Sequence, residues 1–182
     1  IPGDAGDDFV IINDSGDDKA NTGYFQNGAV SGMGITITGA VDFDATTERL
    51  EIDLGAQNDT FYARGTPATL TTTLRLGGGY DTVYVGNTSN SLDDILGRLY
   101  IHGELPFAKD TLYFLDHGDA GPNVYTISSV DTGAITIPIN ETTLARTGAA
   151  NITYLTMEAV ALNASAGADT VYLQSTHKEL DP

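Results

Sequence analysis

The sequence predicts an all-β chain wound as a parallel β-solenoid, a β-helix-like stack of short strands, with a β-sandwich as the alternative. Three observations lead there. The first is a recurring phrase: Leu54-Gly55 runs through Ala56-Gln57-Asn58 into Asp59-Thr60-Phe61-Tyr62-Ala63, and Leu76-Gly77 runs through Gly78-Gly79-Tyr80 into Asp81-Thr82-Val83-Tyr84-Val85. It returns as Lys109-Asp110-Thr111-Leu112-Tyr113-Phe114 and as Ala168-Asp169-Thr170-Val171-Tyr172-Leu173, with a looser relative at Asp7-Asp8-Phe9-Val10-Ile11. The 22 residues from Asp59 to Asp81 suit one coil of short strands with their turns, and the 29 from Asp81 to Asp110 suit a coil with an inserted turn. The second observation is a longer repeat. Residues 48–66 align with 158–176 without a gap at an offset of 110, and residues 8–17 align with 110–119 at an offset of 102. The third is composition: the acids are mostly Asp, which together with abundant Gly and Thr suits strands joined by tight turns rather than helices. The chain therefore reads as one elongated repeat domain, 1–182, built from units 1–107 and 108–182, the second incomplete.

In chain order, residues 4–18 set the apolar strand Phe9-Val10-Ile11-Ile12 between two acidic turns. A Gly- and Asn-rich loop around a short strand at Tyr24-Phe25 follows, and Ile35-Thr36-Ile37-Thr38 alternates as a half-buried strand does. Val41-Asp42-Phe43-Asp44 and Leu50-Glu51-Ile52-Asp53-Leu54 put polar residues on the outward positions, and Thr69 to Leu76 form a Thr-rich strand between two Asp-Thr phrases. Residues 91–99 are the one predicted helical turn, with Ser91 as its cap. Leu99-Tyr100-Ile101 resumes a strand, Gly103 to Pro106 turns, and Ala134-Ile-Thr-Ile-Pro138 resembles Gly34-Ile-Thr-Ile-Thr38.

Charge narrows the function. With 25 acidic and 8 basic residues the net charge is −17, and such a surface repels nucleic acid and anionic membranes. No cysteine is present, the three histidines are scattered, and no apolar run approaches the roughly 18 residues of a spanning helix. The abrupt start at Ile1 and end at Asp181-Pro182 read as a piece of a longer polypeptide, any export signal or anchor lying outside it. No nucleophile has a recognisable elbow or partner, and the arginines are dispersed, so no enzyme is expected.

Six carboxylates fall within residues 4–18, namely Asp4, Asp7, Asp8, Asp14, Asp17 and Asp18, and they repel one another unless solvated or holding a cation. Stacked phrases would likewise set Asp59, Asp81, Asp110 and Asp169 over one another, which requires a cation or a role as acceptors of turn amides. Asp116-His117-Gly118-Asp119 and Asp14-Ser15-Gly16-Asp17 each supply two carboxylates around a glycine, the hard oxygen chemistry that calcium selects. The predicted metal ligands are therefore Asp4, Asp7, Asp8, Asp14, Asp17, Asp59, Asp81, Asp110, Asp116, Asp119 and Asp169, with Ca2+ the ion. Tyr62, Tyr84, Tyr113 and Tyr172 share one place in the phrase and predict an outward tyrosine row, a stacking ladder or, alternatively, a sugar-stacking stripe.

The phrases LGGGYDTVYVGNT, LGAQNDTFYARGT and SAGADTVYLQST resemble the hemolysin-type calcium-binding repeats of secreted bacterial proteins, and still more the related Leu-Gly-x-Gly-x-Asp-Thr repeats of very long bacterial surface proteins. In the hemolysin-type family the Asp and turn carbonyls hold calcium between coils of a parallel β-roll. The resemblance implies a module of an exported, repetitive polypeptide at the cell surface or outside the cell. Its expected partners are neighbouring repeats of the same polypeptide and surface glycans or matrix. A carbohydrate-binding or carbohydrate-cleaving β-helix is the alternative.

Overall fold

A computed structural model describes residues 6–26, 28–35, 39–103, 109–131 and 140–175. The chain forms fifteen short strands: β1 (Phe9–Asn13), β2 (Thr22–Gln26), β3 (Ala29–Gly32), β4 (Ala40–Asp42), β5 (Arg49–Asp53), β6 (Thr60–Ala63), β7 (Thr71–Arg75), β8 (Thr82–Val85), β9 (Leu99–His102), β10 (Thr111–Leu115), β11 (Val124–Asp131), β12 (Asn140–Arg146), β13 (Ile152–Leu155), β14 (Ala159–Asn163) and β15 (Thr170–Ser175). They lie in two mostly parallel sheets. One has the order β1-β5-β7-β9-β13-β12-β11-β15 and the other β14-β10-β8-β6-β2-β3-β4. Neither closes into a barrel, and no helix occurs among the described residues.

Period-two alternation fixes which side chains point inward. From β5 to β10 the chain crosses between the sheets at every strand, and each strand buries a pair: Leu50 and Ile52, Phe61 and Ala63, Thr72 and Leu74, Val83 and Val85, Leu99 and Ile101, Leu112 and Phe114. Each fully buried aliphatic or aromatic side chain stabilises the fold by about 1.5–3 kcal/mol before conformational entropy is set against it. The phrase is what keeps the register: Thr60, Thr82 and Thr111 are successive partners, as are Phe61, Val83 and Leu112. Its Leu-Gly start is the tight corner. Gly77 has φ +77°, and a Cβ there would stand 2.1 Å from the carbonyl oxygen of Gly55 in the turn beneath, so only glycine lets these turns nest.

Two antiparallel excursions interrupt the parallel stack. Strands β2, β3 and β4 form one, strands β11, β12 and β13 the other. Their relation is closer than a resemblance of shape. β1 pairs with β5 and β10 with β14; β2 pairs with β6 and β11 with β15; β2–β3–β4 is matched by β11–β12–β13. The six strands β1–β6 and the six strands β10–β15 therefore share one pairing scheme, with the sheets exchanged.

Residues 91–99 differ from expectation. Instead of a helical turn residues 91–98 form an irregular loop in which Leu92 and Ile95 are buried, and Leu99 begins β9. Thr66 pairs with Ile95 in a parallel bridge, and the Thr66 carbonyl accepts the amides of Leu96 and Gly97. Those long-range bonds take the amides a helix would have used. The segments 36–38 and 134–138, read as alternating strands, lie outside the described residues, as does Asp4.

Candidate functional site

The recurring Asp stands just before a strand, and its carboxylate accepts the amide of the residue that precedes a neighbouring strand of the same sheet. The amide of Asn21 donates to Asp59 Oδ1 (2.7 Å), that of Asp59 to Asp81 Oδ1 (2.7 Å), that of Asp81 to Asp110 Oδ1 (3.0 Å) and that of Asp110 to Glu158 Oε2 (2.7 Å). Asp59 Oδ2 also accepts the amide of Gly55 at 3.1 Å. Asp59, Asp81 and Asp110 are all buried, and among the described residues no basic residue pairs with Asp59 or Asp81. Burial pushes the Asp81 carboxyl up to about 7; the amide of Asp59 opposes this, and the charges of Asp110 and Asp59 add to it. Of the two roles expected for these aspartates, the acceptor of turn amides is the one their contacts display.

The acidic turns on either side of the stack are built to one plan. In the first, the amide of Asp17 donates to the Asp14 carbonyl, Asn21 Nδ2 donates to Asp17 Oδ2 (2.7 Å), the amide of Ala56 donates to the Asp17 carbonyl and that of Asp14 to the Asp53 carbonyl. In the second, offset by 102 or 110 residues, Asp119 donates to Asp116, Asn123 Nδ2 to Asp119 Oδ2 (2.8 Å), Ala166 to Asp119 and Asp116 to Asn163. Asn123 donates its amide to Asp169 Oδ1 (2.9 Å) as Asn21 does to Asp59. Thus Asp14, Asp17 and Asp59 are brought together, and Asp116, Asp119 and Asp169 form the matching turn.

What fills the two turns differs. In the second, Arg146 enters from β12, its side chain 3% exposed. Nε donates to Asp116 Oδ2 (2.9 Å) and Nη2 to Asp116 Oδ1 (3.2 Å), Nη1 reaches Asp93 Oδ1 (2.5 Å), and Nη2 also contacts Asp119. The hydroxyl of Tyr125 donates to Asp116 Oδ2 at 2.6 Å. Burial opposes the guanidinium charge, and the hydrogen bonds and charges of Asp93 and Asp116 outweigh it, raising the pKa of Arg146. In the first turn both organic groups are gone. Tyr125 pairs with Arg146 across the β11–β12 hairpin, and the same hairpin positions in β2–β3 are Gly23 and Gly32. Asp14 and Asp17 form no ion pair among the described residues. Burial, then the charges of Asp17 and Asp59, raise the pKa of Asp14, while the hydrogen bond from Asn21 lowers that of Asp17.

The remaining predicted ligands are dispersed. Asp7 is exposed and pairs with Arg49 at 2.9 Å, and Asp8 donates its amide to Glu48 Oε2 as Asp110 does to Glu158. Among the described residues no cluster of three or more His, Asp or Glu is drawn into metal-ligand geometry. Arg146 and Tyr125 escaped the sequence reading because only the hairpin register brings them to Asp116. Glu158 carried a signal, its alignment with Glu48.

The tyrosine row is a ladder. Tyr24, Tyr62, Tyr84 and Tyr113 stack with ring centroids 5.2, 5.0 and 5.0 Å apart and planes within 14°. Tyr24 takes the place expected for Tyr172, which stands on β15 in the other sheet; the phrase at Asn21-Thr22-Gly23-Tyr24 has Asn for Asp and so went unread. The Arg64 guanidinium lies 4.7 Å from the Tyr24 ring centroid. Inner ring faces are taken up by neighbouring rings, which leaves a sugar ring only edges, hydroxyls and the outer faces of the two end rings. Tyr84→Ala, which removes stacking on both sides, is expected to cost about 1–2 kcal/mol in urea unfolding, and Tyr84→Phe only a few tenths. Equal losses for the two would mean that the hydroxyl, not the stack, matters.

Comparison with known proteins finds no family model, no curated protein and no solved structure that matches this chain.

Proposed function

We propose that this chain is a non-enzymatic structural and adhesive repeat module of a large secreted or cell-surface protein, a parallel two-sheet solenoid of two related units stabilised by calcium. The observation that carries the proposal is the unequal filling of the two acidic turns. One carries its own cation, Arg146, bound by Asp116 and Asp119. The other presents Asp14 and Asp17 beside Asp59 with glycine at the arginine's place, and like charges so close favour a bound cation. Carboxylate and carbonyl oxygens on a turn are hard donors, which suit calcium. Outside a cell, where free calcium is abundant, an ion that binds the folded form alone stabilises it by mass action, about 2.7 kcal/mol at a hundred times its dissociation constant. The net charge of −17 argues against nucleic-acid and membrane partners and for neighbouring repeats, surface glycans or matrix.

The test is thermal unfolding after stripping with chelator, followed by calcium titration with magnesium as control. Calcium is expected to raise the midpoint by roughly 5–10 °C for a domain of this size, and magnesium much less. Asp14→Asn with Asp17→Asn should abolish the response, whereas Asp7→Asn should leave it. An unchanged melting curve in calcium would sink the proposal.

A further inference from the structure

The N-terminal end of the stack has a counterpart inside the molecule. β10 occupies in the second set of six strands the place of β1 in the first, and β13 that of β4. The outer edge of β10 pairs in parallel with β8, and that of β13 in parallel with β9. The same edges of β1 and β4 end their sheets among the described residues. The far end is open as well among the described residues. β15 closes the eight-stranded sheet, and between Thr170 and Ser175 it carries no charge and no proline, the devices that normally guard an edge strand. Its Val171 and Leu173 partner Tyr125 and Ile127, which face the core, yet they are 48% and 78% exposed because nothing described lies opposite them.

We infer that these two ends fit each other, and that the N-terminal edge of one copy of this chain docks on the C-terminal edge of a second, head to tail. This deepens the reading as a repeat module and rests on it. Polarity allows the joint. Following the pairings through β11, β12, β13, β9, β7 and β5, β15 runs in the same direction as β1, so β1 of the second copy continues the sheet as a parallel strand. The overhangs are on opposite sheets: β12, β11 and β15 extend one sheet beyond β13 at the C-terminal end, and β3 and β4 extend the other beyond β2 at the N-terminal end. They overlap across the core, where Val171 and Leu173 of β15 meet β3 of the next copy and β11 meets its β4, and they leave one strand's width beside β14. Stacking Thr170 on Phe9 also sets Asp8 of the second copy above Asp169, the relation that Glu48 has to Asp8 and Asp169 to Asn123. Because each copy carries −17, the association strengthens as salt screens the repulsion.

The experiment is sedimentation velocity of the whole chain across a concentration series, in chelator and at two salt concentrations. Wild type is expected to climb with concentration past the mass of a dimer, more at the higher salt. Leu173→Pro and Ile11→Pro each remove an amide that faces an open edge: Thr170 donates inward to Asn123 and Arg49 to Asp8, which turns the amides of residues 173 and 11 outward. Either variant alone should remain monomeric, and an equal mixture should form a dimer and nothing larger, because one intact joint remains. Leu173→Lys and Ile11→Lys serve as a second pair should a proline variant lose its cooperative melting. A wild type that stays monomeric throughout overturns the inference, as does self-association of either variant alone, which would mean like edges pairing. Calcium is absent from these measurements, so failure here leaves the calcium titration to stand or fall separately.

Discussion

Arg146→Leu is expected to destabilise the chain by about 3–5 kcal/mol, because it strands a buried carboxylate rather than merely deleting a contact. Asp116 is fully buried, and without the guanidinium it keeps, among the described residues, only the Leu92 amide (2.9 Å) and the Tyr125 hydroxyl (2.6 Å) as side-chain-directed donors. At roughly 2–4 °C per kcal/mol for a domain of this length, the melting midpoint should fall by about 10 °C. The arginine also ties β12 to the turn after β10 and to Asp93 in the loop before β9, so three elements loosen together. Asp116→Leu in the same background should recover part of the loss, since removing both charges avoids the uncompensated one. Urea unfolding of the two variants beside wild type decides it. A single-variant loss below about 1 kcal/mol would mean that water already reaches the pair, as at an ordinary surface salt bridge.

Much of the fold was legible because the signals were local and repeated. The alternation in Thr60-Phe61-Tyr62-Ala63 and Thr82-Val83-Tyr84-Val85 assigns strand and inner face at once, and the structure buries Phe61, Ala63, Val83 and Val85 accordingly. The offsets of 102 and 110 hold down to single hydrogen bonds, such as Asp8 to Glu48 and Asp110 to Glu158. The tyrosine ladder was legible as a row but misread at one end, because strand neighbours are set by the sheet and not by phrase identity; Tyr172 follows the phrase and stands in the other sheet. The loop at 91–99 was misread for a similar reason. A capped acidic turn is locally helix-compatible, and the bonds to Thr66 that override it come from 31 residues away. The candidate site was half legible. Its carboxylates announce themselves, but their contacts depend on hairpin register: nothing near Arg146 in the sequence says that it will answer Asp116 and Asp119 while Gly32 leaves Asp14 and Asp17 without such a partner.

Asp81 predicts an unusual pH dependence. A carboxylate whose pKa is raised in the folded state binds a proton there that the unfolded chain has already lost, so its contribution to stability falls as pH rises. Here the window runs from the ordinary value of 3.8 to about 7, and above it the contribution is flat. The physical cause is position: Asp81 is buried between Asp59 and Asp110, and its Oδ2 has no hydrogen-bond partner among the described residues. Asp81→Asn keeps an oxygen to accept the amide of Asp59 and replaces the charge by donors flanked by two carboxylates. In chelator the variant is expected to be more stable than wild type at pH 8, by about 2–4 kcal/mol, and to approach it near pH 4. Urea unfolding of both proteins at pH 4.5, 6 and 8 reads the difference directly, since the gap must widen with pH if Asp81 holds its proton in the folded state. Parallel curves would show that Asp81 is ionised throughout, and that the ladder tolerates adjacent buried charges by admitting water or a cation.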